Sequence, residues 1–120
     1  MKFMLLVYHN ETVFEQMSED ERQRLLAESI ALTHELHAQG QYVSASPLHP
    51  TSTASIVRVR DGTPLVTDGP FAETREQLAG YFLIEALSQA DAAKVAARVP
   101  GARIGSVEVR PVKEVDGLPN

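Results

Sequence analysis

Few side chains in this sequence combine a reactive type with a position that would hold it still. Asp68 is the first, because in Asp68-Gly69-Pro70 the glycine can take a positive φ and the proline fixes its own near about −65°. The carboxylate is then expected at a rigid corner, where it can bond nearby backbone N–H groups. Beside the apolar Phe71, such a carboxylate suits general acid or base work. The plainer alternative is a turn residue that caps the N–H groups after it. His9 is the second. It ends a compact apolar run, titrates near physiological pH, and is expected to reach either the space between sheet and helix or a dimer seam. Its alternative role is that of a hydrogen-bonded histidine at a strand terminus.

Tyr8 and Tyr81 offer pocket hydroxyls, although strand tyrosines more often pack in a core with a satisfied tip. Glu73, Arg75 and Glu76 follow Asp68 in a polar half-turn. Arg75 there could clamp a substrate carboxylate. The alternative is a solvated, mutually paired group, and exposed pairs are worth under about 1 kcal/mol. His37 lies within the apolar stripe of the first long helix and His34 at its edge, spaced i, i+3, with no H-E-x-x-H motif to complete a metal site. A structural role is expected for both. His49, between prolines, reads as solvated. No metal or organic cofactor is expected, and no phosphate loop, nucleophile elbow or dinucleotide fingerprint is present.

Composition narrows the field further. One domain is expected from 120 residues, and the formal charge of −5 argues against a nucleic-acid or anionic-membrane partner. Without cysteine there is no disulfide framework, thiolate nucleophile or Cys-based zinc site. The apolar run from Phe3 to Tyr8 is too short to span a membrane and is followed by no small-residue cleavage site. A cytoplasmic location is the default expectation.

The elements that must position these residues are legible from pattern. Lys2 to His9 is a strand apolar on both faces. Ser18-Glu19-Asp20-Glu21 is a capping box that opens a helix to Gln39, which Gly40 stops. On that helix Leu25, Leu26, Ser29, Ile30, Leu32, Thr33 and Leu36 fall on one stripe. Tyr42 to Ser46 reads as an edge strand closed by Pro47 and Pro50. Ser55 to Arg60 and Thr63 to Thr67 form a hairpin around the two-residue turn Asp61-Gly62. Gly80 to Ala86 is a second strand apolar on both faces. Ser88 with Asp91 caps an Ala-rich helix running to Val99, and Ile104 to Arg110 is a final edge strand. The domain spans 1–111, and 112–120 is a loose tail.

This β-α-β-(hairpin)-β-α-β order is the split βαβ pattern of an α+β, ferredoxin-like domain with an antiparallel sheet and two helices on one face. Two strands are apolar on both sides while helices cover only one face. A symmetric homodimer packed sheet on sheet is therefore expected.

The stretch Asp68-Gly69-Pro70-Phe71-Ala72-Glu73-Thr74-Arg75-Glu76-Gln77-Leu78-Ala79-Gly80-Tyr81-Phe82-Leu83-Ile84-Glu85 resembles the signature of the DGPF branch of the YCII-related proteins. The similarity runs from the opening Met-Lys-Phe-Met-Leu-Leu-Val-Tyr-His to the closing Pro-Gly-Ala-Arg-Ile-Gly-Ser-Val-Glu-Val-Arg-Pro-Val. It implies a dimeric α+β barrel but little chemistry. Better-studied members resemble acid-base enzymes built on a His in the first helix and an Asp just before the last strand. Here that region reads Val99-Pro100-Gly101-Ala102, so the pair is not carried over. Three readings follow: a cofactor-free lyase or isomerase in which Asp68 moves a proton, assisted by His9, in a pocket closed by the hairpin; a ligand sensor of the kind the resemblance associates with sigma-factor-linked regulation; or a structural homodimer.

Overall fold

A strand with no wet face has to sit inside a sheet, and β1 (Lys2–His9) does so in the computed structural model, which describes residues 1–119. After it come α1 (Glu11–Gln16), α2 (Glu19–Ala38), β2 (Tyr42–Pro47), β3 (Ser55–Arg60), β4 (Thr63–Asp68), β5 (Gln77–Glu85), α3 (Gln89–Ala96), α4 (Gly101–Ile104) and β6 (Gly105–Pro111). The main sheet is antiparallel in the order β2-β5-β1-β6, and β3 and β4 form a separate two-stranded ribbon. With the ribbon set aside this is the ferredoxin-like order, with both edges where the sequence placed them.

The β1–β5 register pairs Phe3 with Ile84 and Leu5 with Phe82 on one face, and Met4 with Leu83 and Leu6 with Tyr81 on the other. The first face carries the core: Phe3, Leu5, Ile84, Leu36 and Val99 are essentially sealed. Leu32 and Leu36 of α2 cover it together with Ala92, Val95 and Ala96 of α3. Arg98 and Arg103 pair with Glu35 and Glu28, tying the α3–α4 segment to α2. The molecule is only 21 Å thick in its smallest dimension, enough for one helix layer on one sheet. Met4, Leu6 and Leu83 on the second face are partly exposed.

Local chemistry fixes most element ends. Ser18 Oγ accepts from Glu21 N at 3.1 Å to open α2, and Gly40 at φ 73° follows its end. At the ribbon's tip Asp61 (φ 51°) and Gly62 (φ 75°) make the mirror-image turn that suits twisted strands. Three elements differ from expectation by more than a residue. Glu11–Gln16 is helical, capped by Asn10, whose Oδ1 accepts from Val13 N at 3.0 Å. So short a segment has no full apolar period to reveal it. The second long helix ends at Ala96, and a further turn, α4, follows where Pro100-Gly101 suggested only a stop. Proline lacks a donor that a helix's first residues do not need, so it can start a turn as well as end one. Finally, β5 begins at Gln77 rather than Gly80.

The stripe on α2 divides in a way its periodicity does not show. Leu32 and Leu36 are buried, whereas Leu26 and Ile30, on the same face, are 44% and 49% exposed. Leu36→Ala should therefore cost about 2–5 kcal/mol in urea unfolding and Leu26→Ala under about 1 kcal/mol, since only the first leaves a sealed void.

Candidate functional site

Leu26 and Ile30 are uncovered because the first half of α2 stands away from the sheet. Between them lies a cavity of about 310 Å³, walled by Val7, Phe82 and Ala45 on the sheet side, by Leu25, Leu26 and Ile30 of α2, and by Val99, Pro100 and Ile104 at one end. Polar wall residues are few and mostly spent. Ser29 Oγ donates to Leu25 O at 2.9 Å and Thr33 Oγ1 to Ile30 O at 2.6 Å. Arg22 Nη1 donates to Met17 O at 2.6 Å and Glu15 O at 3.0 Å, and Nη2 to Glu19 at 2.8 Å. The guanidinium thus holds the carbonyl end of α1 against α2 and has little left for a ligand.

His9 lies at the cavity's edge, where β1 ends on the helix-covered side of the sheet. The Phe14 ring of α1 stacks on its imidazole at 4.4 Å with planes 9° apart. Burial holds its pKa below the ordinary value, against the weaker upward pull of Glu11 and Glu76. The imidazole is therefore neutral at physiological pH and can accept a proton.

A polar frame fixes this corner. Glu11 N donates to Gln77 Oε1 at 2.9 Å, and the Glu11 carboxylate accepts from Thr51 N and Thr51 Oγ1, both at 2.8 Å. Asn10 Nδ2 donates to Arg75 O at 3.1 Å. One wall needs a glycine. A Cβ on Gly80 would sit 2.8 Å from Ser46 O, so only glycine lets the end of β2 close on β5 there. The register also slips beside it, between Val7 and Tyr8, leaving an extra residue in β5 next to the cavity.

Of the other expected residues only Tyr81 lines the cavity, among the described residues. Asp68 ends β4 and is exposed, and its carboxylate accepts no hydrogen bond among the described residues; Gly69 after it does take φ 100°. The corner exists, but the carboxylate points into no frame of N–H groups. None of β3 or β4 walls the cavity, so the ribbon does not close it over His9. Phe71 is 75% exposed, with the Arg58 guanidinium 5.7 Å from its ring centre, and Glu73 and Arg75 are exposed.

Tyr8 donates to Glu108 at 3.2 Å, and burial first, then Glu108, raises the phenol's pKa, which keeps its proton on. The Tyr81 hydroxyl shares a 2.9 Å hydrogen bond with Ser44. By register both side chains face the uncovered side of the sheet, but Tyr81, unlike Tyr8, also lines the cavity, beside Gly80 and the irregularity in β5. His34 and His37 are exposed, His37 edge-on to Tyr42 at 6.3 Å. Among the described residues no three His, Asp or Glu are grouped to hold a metal ion, and no helix is long and apolar enough to cross a membrane.

What pattern reading missed is the cavity itself and the partner of His9. Phe14 was readable as a large apolar side chain in an otherwise polar segment, five residues beyond His9.

The family model of the YCII-related domain matches residues 1–116. An uncharacterised protein of Rhizobium meliloti (strain 1021) is 35% identical over 114 residues, covering 93% of this chain and 92% of that one.

The lowered pKa of His9 carries a sign. The unfolded chain takes up the proton first, so stability is full above the ordinary histidine value near about 6.5 and falls as pH drops through it toward the folded value. Chemical unfolding of wild type and His9→Gln between neutral and mildly acid pH should show this loss in wild type and a smaller one in the variant. An NMR titration should place the His9 midpoint below about 6.5.

Proposed function

The chain belongs to the YCII-related domain family, and on that premise we propose that it binds a small, largely apolar molecule with one polar edge in the cavity between α2 and the sheet. The cavity carries this reading. At about 310 Å³ it is at the lower end of small-molecule sites, its walls are mainly apolar, and the Ser29 and Thr33 hydroxyls are already bonded to their own helix. A ligand would gain hydrophobic burial along Leu25, Leu26, Ile30 and Phe82 and direct its polar atom to His9.

A second reading, acid-base catalysis of the lyase or isomerase kind without organic cofactor, is favoured by His9 alone. A neutral imidazole at the edge of an apolar cavity can take a proton from a bound carbon or oxygen acid and return it. Asp68 could assist only if ligand or partner brought it closer. We propose further that the working unit is a homodimer formed through the face carrying Met4, Leu6 and Leu83, which no helix covers. A regulatory role would use the binding and not the turnover.

A thermal-shift screen of small lactones, phenols and aromatic acids tests the cavity. Hits should raise the melting temperature of wild type, keep their effect in Asp68→Asn, and lose it in Ser29→Trp, where an indole fills the space. A hit equally strong in Ser29→Trp would move the site elsewhere. Turnover of that hit, abolished in His9→Gln with binding retained, would select the catalytic reading; binding without turnover would select the sensor.

A further inference from the structure

We infer that the β3–β4 ribbon is an arm that docks on a second copy of this chain. The inference rests on the homodimer reading above and adds a surface that reading does not use.

A two-stranded ribbon is marginal in water on its own and needs a third surface to be stable. Here it is fully paired from Ser55 with Asp68 to Arg60 with Thr63, yet among the described residues it packs on no other strand or helix by more than a marginal contact. One face is apolar. Val57 opposite Val66 and Val59 opposite Pro64 are cross-strand neighbours, and the three valines are 63%, 64% and 59% exposed. The other face mixes Arg58 and Arg60 with Ile56 and Leu65. The valine face is the more uniformly apolar along its middle, and it is the one left in solvent.

Dimensions support the same conclusion. A compact chain of this length has a radius of gyration of about 14 Å, and this one has 16.2 Å. The protomer extends 47 × 45 × 21 Å, flat and splayed. The uncovered sheet face alone is also poor in apolar side chains, since by register Met4, Leu6 and Leu83 share it with Lys2, Glu85, Glu108 and Arg110. Two arms, each given by one copy and received by the other, add apolar surface to it. A second copy is the one partner certain to present an uncovered sheet beside a matching arm, and a two-fold axis satisfies both surfaces together.

Light scattering and sedimentation across dilution should compare wild type, Leu6→Lys on the sheet face, and Val57→Lys/Val66→Lys on the arm. The arm valines are already exposed, so their replacement leaves the core intact, and circular dichroism melts check this. Hydrogen exchange should follow the amides of 56–67. Expected are a wild-type dimer with a protected arm, at least about tenfold weaker dimerisation in each variant, and lost arm protection in both. If Leu6→Lys is monomeric while the arm variant dimerises like wild type, the sheet dimer stands and the arm inference falls. An arm still protected in monomeric Leu6→Lys would mean that it packs on its own body, which also overturns the inference. A wild type monomeric at micromolar concentration overturns both.

Discussion

The antiparallel pairing of β1 with β5 is the constraint on which the rest of this structure depends. Period-2 alternation sends Phe3, Leu5 and Val7 to one side and Met4, Leu6 and Tyr8 to the other, and the paired strand matches both sides with apolar or aromatic residues. Two helices can layer only one side. The core therefore forms against α2 and α3, the molecule stays a thin slab, and the second side keeps Met4, Leu6 and Leu83 partly in water. The cavity follows from the same arrangement. Leu32 and Leu36 bring the second half of α2 onto the sheet, while in the first half Phe14 and Arg22 hold α1 beside the gap where a core layer would otherwise close.

Most of the framework was legible in the sequence because short-range chemistry dictates it. A capping box and a glycine bound α2, an Asp-Gly pair makes the ribbon's turn, and prolines mark β2 as an edge. The ferredoxin-like order followed from counting those elements. The site was legible only in part. His9 could be placed on the face of Phe3, Leu5 and Val7 because a strand's alternation fixes which way its last residue faces, but alternation does not say whether helices or a second sheet cover that face. The cavity could not, since the stripe that seals a core and the stripe that walls a void have the same period. Nor could pattern show that Asp68 is exposed. Its turn is as rigid as Gly69 and Pro70 suggest, but a turn's backbone does not say what surrounds it.

The polar residues near the cavity differ in what they have left to offer. Serine, threonine and arginine along α2 are bonded to backbone carbonyls, so they shape the helix and its junction with α1 more than they present chemistry. Tyr8 and Tyr81 bond Glu108 and Ser44 across the sheet's uncovered side. His9 combines partial burial, a stacked ring face and a place on the cavity wall. Desolvation there favours the neutral form, which is the form that can receive a proton or a hydrogen bond from a ligand.

The long stretch from Asp68 to Glu85 joins the arm to the site mechanically. At the arm's outgoing root Arg75 O accepts from Asn10 and Gln77 accepts from Glu11 N; at its incoming root Thr51 donates twice to the Glu11 carboxylate. Both roots are thus fastened to the two residues that follow His9. Further along the same stretch Gly80 admits β2 to the cavity wall. A shift of the arm would have to strain or break hydrogen bonds at the corner that holds the imidazole. Residues between Asp68 and Gln77 that never touch the cavity can therefore still bear on its edge, through backbone and carboxylate contacts that leave their own side chains in solvent.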